Sequence, residues 1–558
     1  MRGAWMASAA CVALALVPTE SYAVRFAHPL RVELMDGRIP EATVFGAQCL
    51  RGALLLAAVL VPILVGWMAR LSRSGRDGPP LMPSDAGGRR LLASITLAGL
   101  GLRAWIGSQS LWYDEISAFL SFAIEGPGVA FGSYAVPTNH IPMTLAMWLV
   151  FSATDSLAEL ALRAPAILAG TATVPVAFAL GRSLLGRRAG MLMALAAAIG
   201  PIAVLEGAEA RGYAFVILAS TLAALFLVRI ERCGRMRDLV GLALSLAFAA
   251  WSHPVAILLA IAIGAVGLVR DRRLAASALL AGVVALVLLS PLVGDMLSTR
   301  ASYARTTGEQ PAVLSREGVE AIAGLSLSWS VLPANGWRLV LPNPVLSLLA
   351  AAGGVVLLRS GAPRVQRVRR VAVPFVIAFA GAFALAFLAG TWIYARFLLF
   401  AVPLSFVLLA LGARRRRLGA ALIVAGSALS LPFYAAKQPI RDAVAIVASK
   451  RVHDDRVAAI GLPDNAVGFY AQQFGFAARA TGFLGDGLAD VLAADRPRFV
   501  VALYPDRIAP AILQTLDAEY DRTHRLEGWA DWGAGSVEIW TLSPPPNPTP
   551  EPTTEPTS

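Results

Sequence analysis

Two adjacent carboxylates, Asp114 and Glu115, lie shortly after an apolar stretch and directly follow Trp112 and Tyr113. Aromatic residues of this kind are typical of a membrane–water interface. The next residues, Ile116–Ile124, are apolar enough to form a helix lying in that interface. A carboxylate so placed could act as a general base on a hydroxyl acceptor. Most adjacent acidic pairs are solvated loop charges, so the pair alone does not establish a catalytic role.

Isolated arginines beside apolar runs form a second set of candidates. Arg211 stands between two such runs, and Arg396 stands alone at the end of an apolar hairpin. A guanidinium group matches phosphate oxygens in a bidentate manner, so either residue could bind a phosphate. The ordinary alternatives are an exposed loop charge for Arg211 and an interfacial anchor for Arg396. Weaker candidates for substrate contact are His140, although a histidine at the start of a helix is more often a cap residue than a ligand, and Arg163, Glu209, Tyr213 and His253.

The remaining chemistry-bearing residues imply no cofactor. The three cysteines, Cys11, Cys49 and Cys233, lack the spacing of metal ligands or of a disulfide framework. No Gly-rich phosphate loop of the Walker or Rossmann kind is evident. The sequence therefore predicts that no cofactor is required, names no metal ligand, and leaves the use of a divalent metal open.

Membrane helices must position these residues. Of the 558 residues, 57% are hydrophobic and 15% are charged, whereas soluble proteins carry about 25% charged residues. Mean hydropathy is +0.65. Long uncharged runs such as Leu54–Trp67, Leu274–Pro291 and Val371–Gly390 recur, and roughly twenty apolar residues cross a bilayer as a helix. The predicted fold class is mainly α: a polytopic transmembrane bundle of about 11–13 helices, with a small C-terminal α/β domain.

The basic residues predict how the chain is oriented. The net charge is +12, and arginines cluster between the apolar runs, as in Arg270–Arg273, Arg364–Arg370 and Arg414–Arg417. Basic loops between helices follow the positive-inside rule, which explains the charge better than nucleic-acid binding does. The prediction is a multi-pass protein of a bacterial inner membrane that binds no nucleic acid. Residues 108–140 and the C-terminal domain would lie outside the cytoplasm.

Two parts of this topology stay open at the sequence level. The first residues resemble a signal peptide and equally a short first membrane helix. Between 141 and 228, the segments 141–153, 162–181, 189–204 and 212–228 are all candidate crossings. Four crossings would place Arg229–Arg237 outside, so either one segment is re-entrant or the positive-inside rule fails locally.

Changes in composition along the chain predict where its domains begin and end. Residues 1–90 hold a signal-like or membrane helix, a further helix and a basic linker, and residues 91–435 form the transmembrane domain. Residues 436–543 alternate strand-length apolar stretches with amphipathic ones, which indicates an α/β fold. Residues 544–558 form a Pro/Thr-rich tail that cannot build a core.

Taken in order, these motifs resemble those of the GT-C superfamily of membrane glycosyltransferases. The resemblance is to the branch of protein O-mannosyltransferases and bacterial aminoarabinose transferases, and it spans about residues 91–470. The matching elements are Asp114-Glu115, Asn139-His140-Ile141-Pro142, Leu162-Arg163-Ala164-Pro165, Ala210-Arg211-Gly212-Tyr213, and Arg396-Phe397-Leu398 followed by Pro403. This chain lacks the second Pro and the Tyr of the family's histidine element, and it has Gly212 where the family has Pro.

The resemblance implies a transferase that uses a polyprenyl-phosphate-linked sugar. Asp114 would deprotonate the hydroxyl of an extracytoplasmic acceptor, with Glu115 assisting or orienting. Arg211 and Arg396 would neutralise the phosphate of the leaving lipid. Two alternatives remain: a transporter or flippase of a lipid-linked precursor, which predicts internal repeats and charges near the bilayer midplane, and a non-catalytic membrane scaffold. No clear repeat is present, and the charges lie at helix ends.

Overall fold

The computed structural model describes residues 2–73, 81–298, 329–334, 337–389, 395–413, 416–431, 434–461, 465–483, 487–528 and 535–543. The chain divides into two compact units. The helical unit comprises Met1–Gln109 and Ser117–Ala435, and the C-terminal unit comprises Ser110–Ile116 and Ala436–Ser558. The sequence predicted a boundary at 435/436, but it did not predict that the segment bearing Asp114 and Glu115 groups with the C-terminal residues.

Helices make up most of the chain up to residue 435. In chain order they are α1 (Arg2–Ala15), α2 (Thr19–Phe26), α3 (Pro29–Glu33), α4 (Glu41–Leu71), α5 (Ala86–Gly107), α6 (Tyr113–Ala118), α7 (Pro127–Gly132), α8 (Ile141–Thr154), α9 (Glu159–Leu185), α10 (Arg187–Ile199), α11 (Pro201–Leu205), α12 (Tyr213–Arg232), α13 (Met236–Ser252), α14 (Ile257–Arg270), α15 (Arg272–Leu289), α16 (Pro344–Arg359), α17 (Pro363–Ala389), α18 (Val402–Gly412) and α19 (Arg416–Ala428). A π-helix spans Phe119–Ala123, and 3₁₀ helices span Pro254–Ala256, Ser290–Leu292 and Ala395–Ala401. Strands β1 (Trp329–Ala334) and β2 (Trp337–Pro342) form an antiparallel hairpin.

Several of these helices could cross a bilayer. Among the described residues, the helices long and apolar enough are Glu41–Leu71, Glu159–Leu185, Tyr213–Arg232, Arg272–Ser298 and Pro363–Ala386. The bent pair α1 and α2 would add one more span, and shorter apolar helices include α8 and α16. The chain is a multi-pass, mainly α membrane protein. The sequence predicted a larger total, about 11–13 transmembrane helices, and that total stays a prediction.

Five helix termini lie together at one end of the helical unit: the C-terminal ends of α5, α11 and α13 and the N-terminal ends of α8 and α12. Ile106 near the end of α5 packs against Val204 of α11 and Ala208, which lies between α11 and α12. Arg163, in the first turns of α9, donates hydrogen bonds to the carbonyl oxygens of Gly107 and Gln109, at 3.1 and 2.5 Å. We call this end the site end.

Arginines of the described residues cluster at the opposite end, which we call the basic end. Arg187 at the start of α10 pairs with Asp85, which caps α5, at 2.7 Å. Arg370 of α17 pairs with Glu231 in the last turn of α12, at 2.8 Å. Clustering of arginines at one end is what the positive-inside rule predicted.

These two ends resolve the parity problem between residues 141 and 228. Helix α8 starts at the site end, and its Phe151 packs on Phe119 of the π-helix, with ring centroids 5.2 Å apart. Helix α9 starts at the site end again, only a few residues after α8 ends. Helix α8 therefore does not run between the two ends. Helix α9 leads from the site end to the basic end, α10–α11 return to the site end, and α12 places Arg229–Arg237 at the basic end.

Arg103 holds the junction between α10 and α11 near the site end. Arg103 belongs to α5, and its side chain is fully buried. Its guanidinium group donates hydrogen bonds to the carbonyl oxygens of Ala197, Ala198 and Ala203 at 2.7 to 3.1 Å. The last carbonyls of a helix have no partner within that helix, so a guanidinium there satisfies them and also complements the helix dipole. A Cβ on Gly207 would lie 2.8 Å from Arg103 Nε. Arg103 therefore fixes the turn that leads to Arg211.

We expect Arg103→Met to lower the free energy of unfolding by about 3 kcal/mol or more, because buried carbonyl oxygens would lose their donors. Thermal denaturation of the purified protein in detergent would measure this as a midpoint lowered by several degrees. Arg90→Met is the matched control, since Arg90 is an exposed arginine of the same helix. Equal midpoints for the two variants would contradict this role for Arg103.

The C-terminal unit holds a mixed sheet with the strand order β4-β3-β5-β7-β6. The strands are β3 (Val457–Gly461), β4 (Ala478–Phe483), β5 (Phe499–Leu503), β6 (Tyr520–Leu526) and β7 (Val537–Leu542), and the helices are α20 (Ile440–Lys450), α21 (Asn465–Gln473), α22 (Leu488–Asp495) and α23 (Pro510–Glu519). Strand β3 is parallel to β4 and β5, whereas β7 is antiparallel to β5 and β6. The small C-terminal α/β fold is thereby confirmed. The predicted tail, 544–558, lies outside the described residues.

Candidate active site

The rings of His140, Tyr213 and His253 meet at the site end. His140 immediately precedes α8, Tyr213 begins α12, and His253 follows the last residue of α13. The centroid of the His140 ring lies 4.9 Å from that of Tyr213 and 5.4 Å from that of His253. All three side chains are buried. We call these three residues the ring cluster; the fold brings them together from distant parts of the sequence.

Gly212 allows the close approach on which the ring cluster depends. His140 Nδ1 lies 3.0 Å from the carbonyl oxygen of Ser252. A Cβ on Gly212 would lie 2.4 Å from that same oxygen and 2.8 Å from His140 Nδ1. Any side chain at position 212 would force these groups apart. The glycine that departs from the resembled motif therefore suits the packing of this chain.

Arg211 and Arg396 border the ring cluster. The Arg211 side chain is buried, its Nη1 donates to the carbonyl oxygen of Thr138 at 3.0 Å, and its Cζ lies 5.7 Å from the centroid of the Tyr213 ring. The half-buried Arg396 places its Cζ 6.0 Å from the ring centroid of Phe397, whose ring lies 5.0 Å from that of His253. Residues 390–394, which precede this segment, lie outside the described residues.

The pKa values of the two histidines in the ring cluster are both lowered. Burial, reinforced by the charges of Arg211 and Arg396, lowers the pKa of His253 to about 3. The same causes, together with His253, hold the pKa of His140 well below its usual range. Both shifts disfavour the charged form of the imidazole, so the positive charge beside the ring cluster is carried by the two guanidinium groups.

Arg163 and Glu209, two of the weaker candidates, are both buried. The hydrogen bonds from Arg163 to the carbonyl oxygens of Gly107 and Gln109 fix the start of α9 against the end of α5. Glu209 lies in the turn that carries Arg211. Their predicted roles in substrate contact stay predictions.

Asp295 and Tyr134 are site-end residues that the sequence analysis missed. The buried Asp295 carboxylate accepts hydrogen bonds from the Tyr134 amide at 2.7 Å and Ser133 Oγ at 3.1 Å, and it pairs with Arg31 at 2.7 Å. Burial raises the pKa of Tyr134 to about 12, while the nearby Arg211 charge acts in the opposite direction. A lone aspartate just beyond a long apolar run was the signal available in the sequence.

The acidic pair belongs to the C-terminal unit and occupies the first turn of α6. The half-buried Asp114 follows Tyr113, the first residue of the helix. Glu115 is buried, and its Oε2 accepts a hydrogen bond from the Trp112 amide at 3.1 Å. A glutamate that reaches back in this way forms half of a capping box. The two carboxylates therefore differ: Glu115 stabilises the turn on which Asp114 sits.

Within the described ranges, no three His, Cys, Asp or Glu side chains are grouped so that they could hold a metal ion. The arrangement at the site end is instead one of guanidinium groups beside the ring cluster. Guanidinium groups are suited to phosphate oxygens rather than to a cation.

Residues 139–294 match a protein-family model described as dolichyl-phosphate-mannose-protein mannosyltransferase. This match confirms the predicted resemblance to protein O-mannosyltransferases for these residues. The matched stretch is somewhat more than a quarter of the chain and contains the ring cluster and Arg211. It does not reach Asp114, Glu115 or Arg396. No curated protein matches the chain.

Several solved structures are similar to this chain at low identity. An oligosaccharyltransferase from Archaeoglobus fulgidus has 13% identity and a TM-score of 0.46, over 81% of this chain and 73% of its own. ArnT from Cupriavidus metallidurans, solved with undecaprenyl phosphate, has 14% identity and a TM-score of 0.39, over 82% and 99%. The arabinosyltransferase EmbB from Mycobacterium smegmatis has 15% identity and a TM-score of 0.38, over 72% and 36%.

Proposed function

We propose that this protein is an integral membrane glycosyltransferase that moves a hexosyl or pentosyl group from a polyprenyl-phosphate-linked donor to an acceptor hydroxyl outside the cytoplasm. The observation that carries the proposal is the placement of Arg211 and Arg396 beside the ring cluster. A lipid-linked sugar leaves behind a phosphate that gains negative charge as its bond to the sugar breaks. Preorganised guanidinium groups in a buried setting stabilise such charge. The family description, which names a dolichyl-phosphate sugar, supports the same donor class.

The proposed reaction is a single displacement at the anomeric carbon. The acceptor oxygen forms the new glycosidic bond, the bond between the anomeric carbon and the phosphate oxygen breaks, and polyprenyl phosphate leaves with the electron pair. Asp114 takes the proton of the acceptor hydroxyl, as a general base does. Glu115 holds the turn that carries Asp114, and Arg211 and Arg396 bind the phosphate. A membrane orientation with the basic end in the cytoplasm would put the site end outside a bacterial inner membrane.

Donor consumption tests this proposal without knowledge of the acceptor. The full-length protein in proteoliposomes is offered polyprenyl-phosphate hexoses and pentoses, and separately the nucleotide forms of the same sugars. Release of polyprenyl phosphate is measured with and without a cell-envelope extract as the acceptor source. We expect release from at least one lipid-linked donor, stimulation by the extract, and no turnover of nucleotide sugars. Lipid movement across the membrane without cleavage would instead identify a transporter, and no cleavage of any lipid-linked donor would overturn the proposal.

A further inference from the structure

Side chains of the C-terminal residues hold the backbone just before Asp114. The amide of Leu111 donates to Tyr470 Oη at 2.7 Å, and the amide of Tyr113 donates to Gln438 Oε1 at 2.9 Å. The amide between them is the one bound by Glu115. Each of the consecutive amides that lead to Asp114 therefore has a side-chain acceptor, and two of those acceptors lie more than 300 positions later in the chain.

Two further contacts join the segment before Asp114 to residues 437–441. The amide of Arg441 donates to Ser110 Oγ at 3.1 Å, and Lys437 Nζ lies 4.5 Å from the ring centroid of Trp112. The tryptophan ring is 3% exposed and the lysine 6%. A cation over an indole face contributes most when it is desolvated. The contact therefore adds to the hydrogen bonds that fix this segment.

Burial makes these hydrogen bonds important for the segment's conformation. Tyr470 on α21 and Gln438, just before α20, are both 0% exposed, and Leu111 is 1% exposed. A buried amide that loses its acceptor is costly, so the backbone of residues 111–113 cannot leave this arrangement freely. The first amides of a helix have no partner within that helix, so the start of α6 depends on such acceptors.

We propose that the C-terminal unit positions Asp114, with Tyr470 and Gln438 as its positioning residues. The catalytic consequence rests on the proposed function, whereas the anchoring of the segment does not. A general base must lie within hydrogen-bonding distance of the proton that it removes. A displacement of about 1 Å can cost about a hundredfold in rate. In this proposal the C-terminal fold contributes to catalysis by holding the general base in position.

Tyr470→Phe and Gln438→Met test the proposal because each removes one acceptor while keeping the size of the side chain. We expect each variant to lower kcat by about tenfold to a hundredfold while the KM for the donor stays the same. A general loss of folded protein would not produce that split. Hydrogen exchange of the full-length protein, followed by mass spectrometry, should show faster exchange at residues 111–113 in both variants.

Tyr520→Phe is the matched control. Tyr520 is a buried tyrosine of the same unit whose hydroxyl donates to the Pro497 carbonyl oxygen at 2.8 Å, so the variant loses a comparable hydrogen bond. Exchange at 111–113 and kcat should both stay at the wild-type level in this variant. Unchanged exchange in Tyr470→Phe and Gln438→Met, or faster exchange without a change in kcat, would overturn the positioning role. If the wild-type protein cleaves no lipid-linked donor, the proposed function fails, and the exchange data alone decide whether the segment is anchored.

Discussion

Replacing Asp114 with asparagine is expected to lower the rate of sugar transfer by about 10²–10⁴-fold, the usual contribution of a general base. Asparagine keeps the shape of the side chain and its place in the first turn of α6 but cannot accept the proton of the acceptor hydroxyl. Binding of the donor does not require that proton transfer, so the KM for the polyprenyl-phosphate sugar should change little. Steady-state transfer by the purified protein would separate these two constants.

Two other acid-to-amide changes make this experiment specific. Glu115→Gln should cause a much smaller loss, because a glutamine oxygen can still accept the hydrogen bond from the Trp112 amide. Asp454→Asn, at a fully exposed aspartate of the same unit, should leave the rate unchanged. Wild-type activity in Asp114→Asn would remove the proposed base. A larger loss in Glu115→Gln than in Asp114→Asn would exchange the roles of the two carboxylates.

The sequence predicted those parts of the fold that are encoded in local pattern. The apolar runs 239–251, 254–269 and 274–290 predicted α13, α14 and α15 to within about three residues at each end, because a long uncharged stretch can form few other structures. The strand-length apolar stretches Val457–Leu462, Phe499–Tyr504 and Val537–Leu542 predicted the buried strands β3, β5 and β7. Strand β6 was missed because it is an edge strand whose middle residues are exposed and charged.

The topology around α8 depended on contacts that no local pattern contains. Its apolar stretch is as strong as that of a crossing helix, so composition alone could not exclude a crossing. The decisive facts are the position of Arg163 at the end of α5 and the contact between Phe151 and Phe119. Both join residues more than 30 positions apart.

The candidate site also contains residues that the sequence predicted and residues that it did not. The order of the motifs predicted His140, Tyr213 and Arg211, and the structure brings these three together. Asp295 and Tyr470 were missed because their importance lies in what they contact rather than in their own sequence surroundings. The family resemblance also gave no reason to connect Tyr470 with the acidic segment, since that hydrogen bond joins two distant parts of the chain.

Arg211→Gln is expected to lower kcat/KM for the lipid-linked donor by about 10²–10³-fold, the loss typical when one charge-stabilising donor is removed. The phosphate is already negative in the bound donor and gains further negative charge as the sugar leaves. We therefore expect the variant to have a higher KM and a lower kcat. This differs from Asp114→Asn, in which kcat alone is expected to fall. Arg211→Lys should lie between glutamine and the wild type, because lysine keeps the charge but not the planar fork.

A binding measurement separates phosphate recognition from catalysis. The affinity for polyprenyl phosphate, the product, should fall in Arg211→Gln and in Arg396→Gln. It should stay unchanged in Arg270→Gln, which alters an exposed arginine at the basic end. Because both guanidinium groups border one ring cluster, the two losses are not expected to be additive in the double variant. Wild-type affinity in both single variants would show that the phosphate binds elsewhere, and the proposed role of the ring cluster would then be lost even if transfer activity were found.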